Sequence, residues 1–216
     1  MNIPNSKPLF ENISIRSRGR LPHWEAEKAT CFVTFRLADS LPSNILDDYR
    51  FEREDIIKTA EALGRELSIS ELARLDELYS EKVETYLDAG CGACHLTDPP
   101  VAQAVKGALL HFDGIRYHLL AWCIMPNHVH AVLRSLGEHR LADIMHSWKS
   151  FTAKKANRLL RRTRALWQRE YYDHLVRDEI DFYRILEYVV DNPRKSGLQN
   201  WPWFGISSAG ILPASL

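Results

Sequence analysis

The sequence lacks the features that direct a chain into or across a membrane. It has no apolar run of about 18 residues or more. Residues 1–11 also lack the basic start followed by an apolar stretch that marks a secretory signal. We therefore expect a cytoplasmic protein with no membrane partner.

Cysteine is also scarce, with four in a chain of 216 residues, too few for a disulfide scaffold. Cys31 and Cys123 lie inside apolar runs that are typical of buried strands. Cys91-Gly-Ala-Cys94-His95 has the spacing of half a zinc ribbon, a redox pair or a haem-attachment motif. Zinc would need a second cysteine pair and haem attachment would need export, so we interpret this segment as a structural loop.

Net charge is likewise absent, because 28 acidic side chains balance 28 basic ones. The balance hides a segregation: residues 44–88 carry a net charge of −7 and residues 134–170 a net charge of +7. A local basic face is what matters for binding nucleic acid, so a neutral total does not exclude it. The N-terminal segment, with Arg16, Arg18 and Arg20, is either a disordered leader or a tail that contacts DNA.

The periodicity of apolar residues predicts the order of the elements. Runs rich in β-branched and aromatic residues predict strands at 30–37, 117–124, 128–133 and 172–177. Amphipathic patterns predict helices at 44–64, 68–83, 100–112, 141–160 and 178–192. We expect the last helix to stop around Asn192, because Pro193 disfavours helix in the residue before it and Gly197 completes the stop.

This order of elements predicts an α+β fold. Without a helical insertion at 44–88, it is βαββαβ followed by one C-terminal helix. That is the ferredoxin-like arrangement, built on an antiparallel sheet. We divide the chain into an arm at 1–28, a main domain at 29–200 and a tail at 201–216.

Two histidines and a helical Tyr/Asn pair are the candidate functional residues. His128 and His130 begin a predicted strand just after a turn, so their side chains point the same way. Tyr188 and Asn192 are four residues apart and share one face of the last helix. Two imidazoles and an amide oxygen can hold a divalent metal with open positions, and this ligand set suits Mg²⁺ or Mn²⁺.

Such a site can perform phosphoryl chemistry with Tyr188 as the nucleophile. A tyrosine has a reference pKa of about 10 and needs a metal or basic neighbours that favour its phenolate. The alternatives are structural: a tyrosine on an amphipathic helix is usually a packing residue, and Asn before Pro is a common helix terminator. Tyr183 is the rival nucleophile, and His174 is either near the site or a structural histidine.

Four segments of the chain carry a family resemblance: Phe32-Val-Thr-Phe-Arg-Leu37, Met125-Pro-Asn-His-Val-His130, Trp167-Gln-Arg-Glu-Tyr-Tyr-Asp-His174 and Tyr188-Val-Val-Asp-Asn-Pro-Arg-Lys-Ser-Gly-Leu198. In this order they resemble the REP-associated tyrosine transposases, which belong to the HUH single-tyrosine transposases and are related to insertion-sequence transposases. The resemblance runs from about residue 20 to residue 198. The insertion at 44–86 resembles that of the longer members.

The resemblance implies a ferredoxin-like nuclease core that cuts and rejoins single-stranded DNA in the bacterial cytoplasm, at the nucleoid. His128 and His130 match the paired histidine ligands, and Asn192 stands where relatives carry an amide ligand. Tyr188 matches the nucleophile that joins to the 5′ phosphate and releases a 3′ hydroxyl. Similar proteins act on palindromic hairpins repeated across bacterial chromosomes. We expect this protein to be either a monomer or a homodimer.

The basic segment fits a DNA substrate, because neutralising phosphates supplies the sequence-independent part of the affinity. Trp167 either stacks on an unpaired base or packs in the core. The candidate DNA-contacting residues are Lys149, Lys154, Lys155, Arg158, Arg161, Arg162, Arg164, Trp167, Arg194 and Lys195.

Two other functions stay open on the sequence alone. One is a domesticated protein that binds DNA hairpins without turnover, and the other is a metal-dependent phosphodiesterase that uses water in place of tyrosine. A purely structural module is least favoured, since it gives no reason for the two histidines and the Tyr/Asn pair to occur together.

Overall fold

The fold is a sheet covered by helices on both faces, in a computed structural model that describes residues 14–17, 22–25, 29–79 and 83–207. The strands are β1 (Ser14–Ser17), β2 (Pro22–Glu25), β3 (Thr30–Arg36), β4 (Tyr117–Ile124), β5 (His128–Ser135), β6 (Tyr172–Leu175) and β7 (Phe204–Ile206). The helices are α1 (Ser43–Ala62), α2 (Ile69–Tyr79), α3 (Thr85–Asp88), α4 (Pro99–His111), α5 (Leu141–Leu159) and α6 (Glu179–Lys195).

The main sheet confirms the predicted fold class. Its strands lie in the order β6-β3-β5-β4-β7, and every neighbouring pair is antiparallel. Counted without the insertion, β3, β4, β5 and β6 are the four strands of βαββαβ. Their spatial order, fourth-first-third-second, is that of the ferredoxin-like arrangement.

Strand β5 shows how side-chain alternation divides the molecule into two layers. Val129, Ala131 and Leu133 lie in the larger core, together with residues of α4 and α5. Val132 points to the opposite face, where a second core contains Ile185 and other residues of α6. The histidines of β5 have the same parity as Val132 and therefore face α6.

Helix α6 runs past the point where the sequence predicts its end. It continues through Pro193 to Lys195, so the expected stop around Asn192 is wrong. Proline has no backbone N–H to donate, but its φ angle is compatible with a helix. Only two residues of α6 follow Pro193, so the helix loses little by including it. Gly197, at φ 74°, ends it as predicted, with the Leu198 N–H donating to the Pro193 carbonyl at 2.8 Å.

Both ends of the chain contribute strands that the sequence patterns do not predict. Within the predicted arm, β1 and β2 form an antiparallel pair, whereas residues 18–21 lie outside the described residues. Within the predicted tail, β7 pairs with β4 at the sheet edge. The Trp201 indole N–H donates to the Ile124 carbonyl at 2.7 Å, which fixes the approach of β7.

The predicted insertion is helical and has its own small core. Helices α1, α2 and α3 lie between β3 and α4, and Leu78, Val83 and Leu87 are fully buried there. Tyr172 of β6 packs against this cluster, so the insertion is anchored beside the edge of the sheet. Within the described ranges, no helix combines the length and apolarity that crossing a membrane requires.

A buried hydrogen-bond relay ties the helical layer to the sheet and yields a stability prediction. The Trp148 indole donates to the Tyr117 hydroxyl at 2.8 Å, and that hydroxyl donates to the Leu109 carbonyl at 2.7 Å. Tyr117→Phe leaves both partners unsatisfied and should lower the free energy of unfolding by about 1–3 kcal/mol. Urea denaturation measures this. Tyr183→Phe, at a side chain 42% exposed, is the control and should change it by less than about 0.5 kcal/mol.

Candidate active site

The two histidines converge at the start of β5, as their spacing predicts. Both are fully buried, and their Nε2 atoms are 2.9 Å apart. The ring centroids are 4.5 Å apart and the planes nearly perpendicular, so the two nitrogens face each other edge to edge. The two Nε2 atoms are therefore near enough to contact one shared ligand.

Both rings have a polar partner at Nδ1, and for His128 that partner sets the tautomer. The Asn127 amide donates to the Cys91 carbonyl at 2.9 Å, which leaves its oxygen as the acceptor for His128 Nδ1–H at 2.7 Å. His128 Nε2 is therefore unprotonated in the neutral ring. His130 Nδ1 lies 2.8 Å from the Thr34 hydroxyl, which can donate or accept, so either tautomer of His130 is served.

Burial keeps both rings neutral. Desolvation lowers the pKa of His130 to about 3. The pKa of His128 also falls well below its usual value, through burial first and then the nearby His130 and Arg36. A neutral imidazole is the form that binds a metal ion.

Tyr188 of α6 lies directly against the histidine pair. Its hydroxyl is 3.5 Å from His130 Nε2, and its ring centroid is 5.2 Å from that of His130. Phe32 of β3 fixes the relation between them: it stacks on His130 at 5.5 Å and meets Tyr188 edge-on at 5.9 Å. The Tyr188 hydroxyl is thus held beside Nε2 of His130.

Asn192 provides an unsatisfied oxygen one helical turn beyond Tyr188. The residue is 1% exposed, and its Oδ1 has no hydrogen-bond partner. An orphaned buried carbonyl of this kind is costly unless a further group satisfies it. Together with the two neutral histidines, this oxygen fits a divalent cation. In the part of the chain that the structure describes, no cluster of three His, Cys, Asp or Glu side chains could hold a metal instead.

Two acidic residues of the insertion also belong to the site. The Tyr188 hydroxyl donates to Glu84 Oε1 at 3.1 Å. Asp88 accepts a side-chain hydrogen bond from Asn192, and its pKa is raised by desolvation despite that bond and the charge of Lys195. Sequence patterns predict neither residue, because nothing local relates the acidic insertion to the core.

Of the two candidate tyrosines only Tyr188 lies against the histidine pair, and His174 contacts a carboxylate. Tyr183 is 42% exposed and contacts Phe182, away from the histidine pair. His174 is buried on β6, with its Nε2 2.9 Å from Asp181 Oδ2. That contact supports a structural role for His174. The residue also lines the cleft beside Tyr188.

Most of the predicted DNA contacts lie on α5 or just after it, in the layer opposite α6. The structure therefore does not bring them to the tyrosine. Five of them are exposed: Lys154, Lys155, Arg158, Arg161 and Arg164.

Three members of the basic segment have internal partners. Lys149 donates to the Arg169 carbonyl at 2.6 Å, and burial lowers its pKa to about 8. Arg162 donates to the Ala165 carbonyl at 3.0 Å. Trp167 is 7% exposed and its indole donates to Thr152 at 2.8 Å, so of the two alternatives its position supports packing in the core and not stacking on a base.

The last two predicted DNA contacts lie at the end of α6, near the tyrosine. Lys195 Nζ is 6.0 Å from the centre of the Tyr188 ring, and both residues line a cleft of about 540 Å³. Arg194 is exposed and paired with Asp191, its Nε 2.5 Å from Oδ1. Glu77 and Glu84 of the acidic insertion also line this cleft.

The two histidines, Tyr188 and Asn192 lie in a segment that matches a known family. Residues 104–192 match the family described as "Transposase IS200 like". The match begins in α4 and ends at Asn192, and so includes both histidines and Tyr188. The predicted resemblance to tyrosine transposases is confirmed over these residues.

Two proteins of one organism are similar to part of this chain. A Haemophilus influenzae protein named a REP-associated tyrosine transposase is 30% identical over 116 residues, 47% of this chain and 64% of its own length. An uncharacterised protein of the same organism is 29% identical over 114 residues, 43% of this chain and 62% of its own. This chain thus spans under two thirds of each. A solved structure of a REP-associated tyrosine transposase bound to a REP hairpin gives a TM-score of 0.47 at 15% identity, covering 88% of this chain and 81% of that one.

The carboxylate beside the cleft gives a pH prediction. Desolvation opposes ionisation of Asp181, but hydrogen bonds, above all from His174, outweigh it and hold the pKa of Asp181 below its usual value. A depressed carboxyl pKa stabilises the folded chain above the unfolded pKa of about 4, and that stability is lost as the pH falls further.

Asp181→Asn should therefore lower the free energy of unfolding near pH 7 by about 1–2 kcal/mol, allowing for partial solvent screening. The difference from wild type should shrink below about pH 4. Denaturant titrations at several pH values measure it. A difference that is independent of pH would show that Asp181 does not act through its charge.

Proposed function

Because residues 104–192 match the IS200-like transposases, we propose that this protein cuts and rejoins single-stranded DNA through a covalent link to Tyr188. The observation that carries the proposal is the position of the Tyr188 hydroxyl, 3.5 Å from Nε2 of His130, which itself lies 2.9 Å from Nε2 of the second buried histidine, His128. A tyrosine that serves only packing has no need of two neutral imidazoles facing its hydroxyl.

In the proposed reaction, the Tyr188 oxygen attacks a DNA phosphate and the 3′ oxygen leaves. The resulting 5′-phosphotyrosine keeps the energy of the broken bond, so a 3′ hydroxyl can later attack it and rejoin the strand. Phe32 orients both Tyr188 and His130, and thereby limits the loss of entropy on reaching the reactive geometry. No nucleotide cofactor is consumed.

A divalent ion, Mg²⁺ or Mn²⁺, fits the residues present. His128, His130 and Asn192 would hold it, with Asn127 and Thr34 as the outer partners that orient the imidazoles. When bound, such an ion polarises a phosphoryl oxygen and stabilises charge on the leaving group.

The proposed substrate is a DNA hairpin with a single-stranded flank. The name of one Haemophilus influenzae relative refers to REP elements, and the tyrosine transposases that the chain resembles act on palindromic hairpins. Lys195 is near enough to the tyrosine to contact a bound phosphate, whereas the exposed basic residues of α5 would contact a part of the DNA that extends round the sheet.

The direct test is incubation with a labelled single-stranded hairpin DNA and Mn²⁺, followed by denaturing gel electrophoresis. Wild-type protein should give a band of covalently shifted protein. Tyr188→Phe removes the nucleophile and should abolish the band, and His130→Ala removes a ligand and should do the same. Tyr183→Phe is the matched control on the same helix and should retain it.

Two outcomes would contradict the proposal. Cleavage that survives in Tyr188→Phe without any adduct would point to water as the nucleophile, and thus to a phosphodiesterase. Tight binding of the hairpin with no cleavage in the wild type would point to a DNA-binding protein without turnover.

The basic face of α5 gives a separate prediction about DNA affinity. Replacing Lys154, Lys155 and Arg158 together by alanine should weaken hairpin binding and lower the salt dependence by about one unit of slope per lost phosphate contact. Lys58→Ala, at an exposed lysine of the acidic insertion, is the control. Fluorescence anisotropy across a range of salt concentrations measures both. Equal slopes for the triple variant and wild type would remove α5 from the DNA interface.

A further inference from the structure

Two acidic residues of the insertion lie beside Tyr188 and Asn192 of α6 and have the same spacing in the chain. Glu84 and Asp88 are four residues apart, as are Tyr188 and Asn192. Glu84 accepts a hydrogen bond from Tyr188, and Asp88 accepts one from Asn192. Residues four apart lie on the same face of a helix, so α3 and α6 meet along matching rows.

The short helix α3 is held firmly enough to position these carboxylates. Val83 and Leu87, each one residue before a member of the acidic pair, are fully buried in the core of the insertion. Glu84 itself has helical φ and ψ angles of −60° and −43°, which continue the spacing of α3. One row of side chains therefore anchors the segment while the adjacent row faces α6.

We propose that Glu84 is the general base for Tyr188 and that Asp88 is a positioning residue for Asn192. The proposal rests on the proposed tyrosine chemistry and assigns a role to the insertion within it. Glu84 contacts the reacting oxygen itself at 3.1 Å, the distance at which a side chain can take up a proton.

The proposed proton transfer balances in both directions. During cleavage, the Tyr188 O–H bond breaks and its proton passes to the Glu84 carboxylate. The tyrosine oxygen forms a bond to phosphorus, the bond from phosphorus to the 3′ oxygen breaks, and that oxygen takes a proton from water. During rejoining, the 3′ hydroxyl loses its proton to the solvent as its oxygen bonds to phosphorus. The bond from phosphorus to the tyrosine oxygen breaks, and the Glu84 carboxyl returns its proton to that oxygen.

Asp88 acts through the orientation of the Asn192 amide. A carboxylate accepts hydrogen bonds and repels a carbonyl oxygen, so it fixes the amide nitrogen of Asn192 towards itself. The amide oxygen then points away from Asp88, and this is the buried oxygen that has no partner. Partners of this kind commonly change metal affinity by about 10–100-fold when they are removed.

Glu84→Gln tests the general base, because the variant keeps the size of the side chain and can still accept the tyrosine hydrogen bond. The rate of adduct formation on a hairpin DNA should fall about 100-fold or more. Affinity for the same DNA, measured by anisotropy, should be unchanged or higher, since a negative charge leaves the cleft. Glu54→Gln removes a charge from the insertion outside this cleft, at a residue paired with Lys58, and should form the adduct at nearly the wild-type rate.

The outcomes separate this inference from the proposed function. If wild-type protein forms no adduct, the tyrosine mechanism itself fails and the role of Glu84 falls with it. If wild-type protein forms the adduct and Glu84→Gln forms it at the same rate, only the role of Glu84 is overturned. Faster adduct formation in Glu84→Gln would overturn it too, and would instead identify Glu84 as an inhibitory cover on the nucleophile.

Asp88→Asn tests the positioning role without any DNA. Titration of the protein with Mn²⁺ alone, followed by calorimetry, should show affinity weakened at least about tenfold relative to wild type. Asp191→Asn, at a carboxylate on α6 that pairs with Arg194, is the control and should bind Mn²⁺ as wild type does. Thermal melting confirms that each variant is folded. Wild-type affinity in a folded Asp88→Asn variant would overturn the role of Asp88.

Discussion

The packing of α6 against the histidine face of β5 is the contact on which the site depends. Strand alternation sends His128 and His130 to the same face as Val132, and α6 covers that face with an apolar row that includes Ile185 and Val189. Because this row fixes the rotation of α6, Tyr188 lies against His130. A rotation of α6 by one residue would move the phenol away from the imidazoles, so ordinary core packing determines the geometry of the candidate site.

A similar dependence links the insertion to the site. The chain leaves the sheet after β3, forms α1, α2 and α3, and returns at α4. Because Val83 and Leu87 are buried in the core of the insertion, α3 cannot leave that core without exposing apolar surface. The acidic character of this insertion is compatible with the proposed DNA processing, because two of its carboxylates contact Tyr188 and Asn192.

Local pattern was enough to predict the sheet and most of the helices, because each strand of the core has a buried, alternating or continuous apolar run. It also predicted that His128 and His130 share a face. Local pattern failed at the end of α6 and at the short strands near both ends of the chain. Pro193 does not end α6, since a proline near the last turn removes a single hydrogen bond that packing compensates. Strand β7 was missed because its three residues have no strand pattern apart from their partner β4.

What sequence reasoning could not provide is the set of contacts between segments far apart in the chain. Glu84 and Tyr188 are separated by 104 residues, and no periodicity relates them. The matching four-residue spacing of the acidic pair and the Tyr/Asn pair is a signal in the sequence, but it has meaning only once α3 and α6 are known to touch. In the same way, the charge of α5 could be read from the sequence, whereas its position on the opposite layer could not.

The most direct test of the tyrosine mechanism is to locate the covalent bond. Wild-type protein is incubated with a hairpin DNA and Mn²⁺, the DNA is trimmed with nuclease, and the protein is digested and analysed by mass spectrometry. We expect a nucleotide joined through phosphate to the peptide that contains Tyr188, with fragmentation placing it on that tyrosine. A nucleotide on Tyr183 or on any other residue, or cut DNA with no modified peptide, would contradict the role of Tyr188 as the nucleophile.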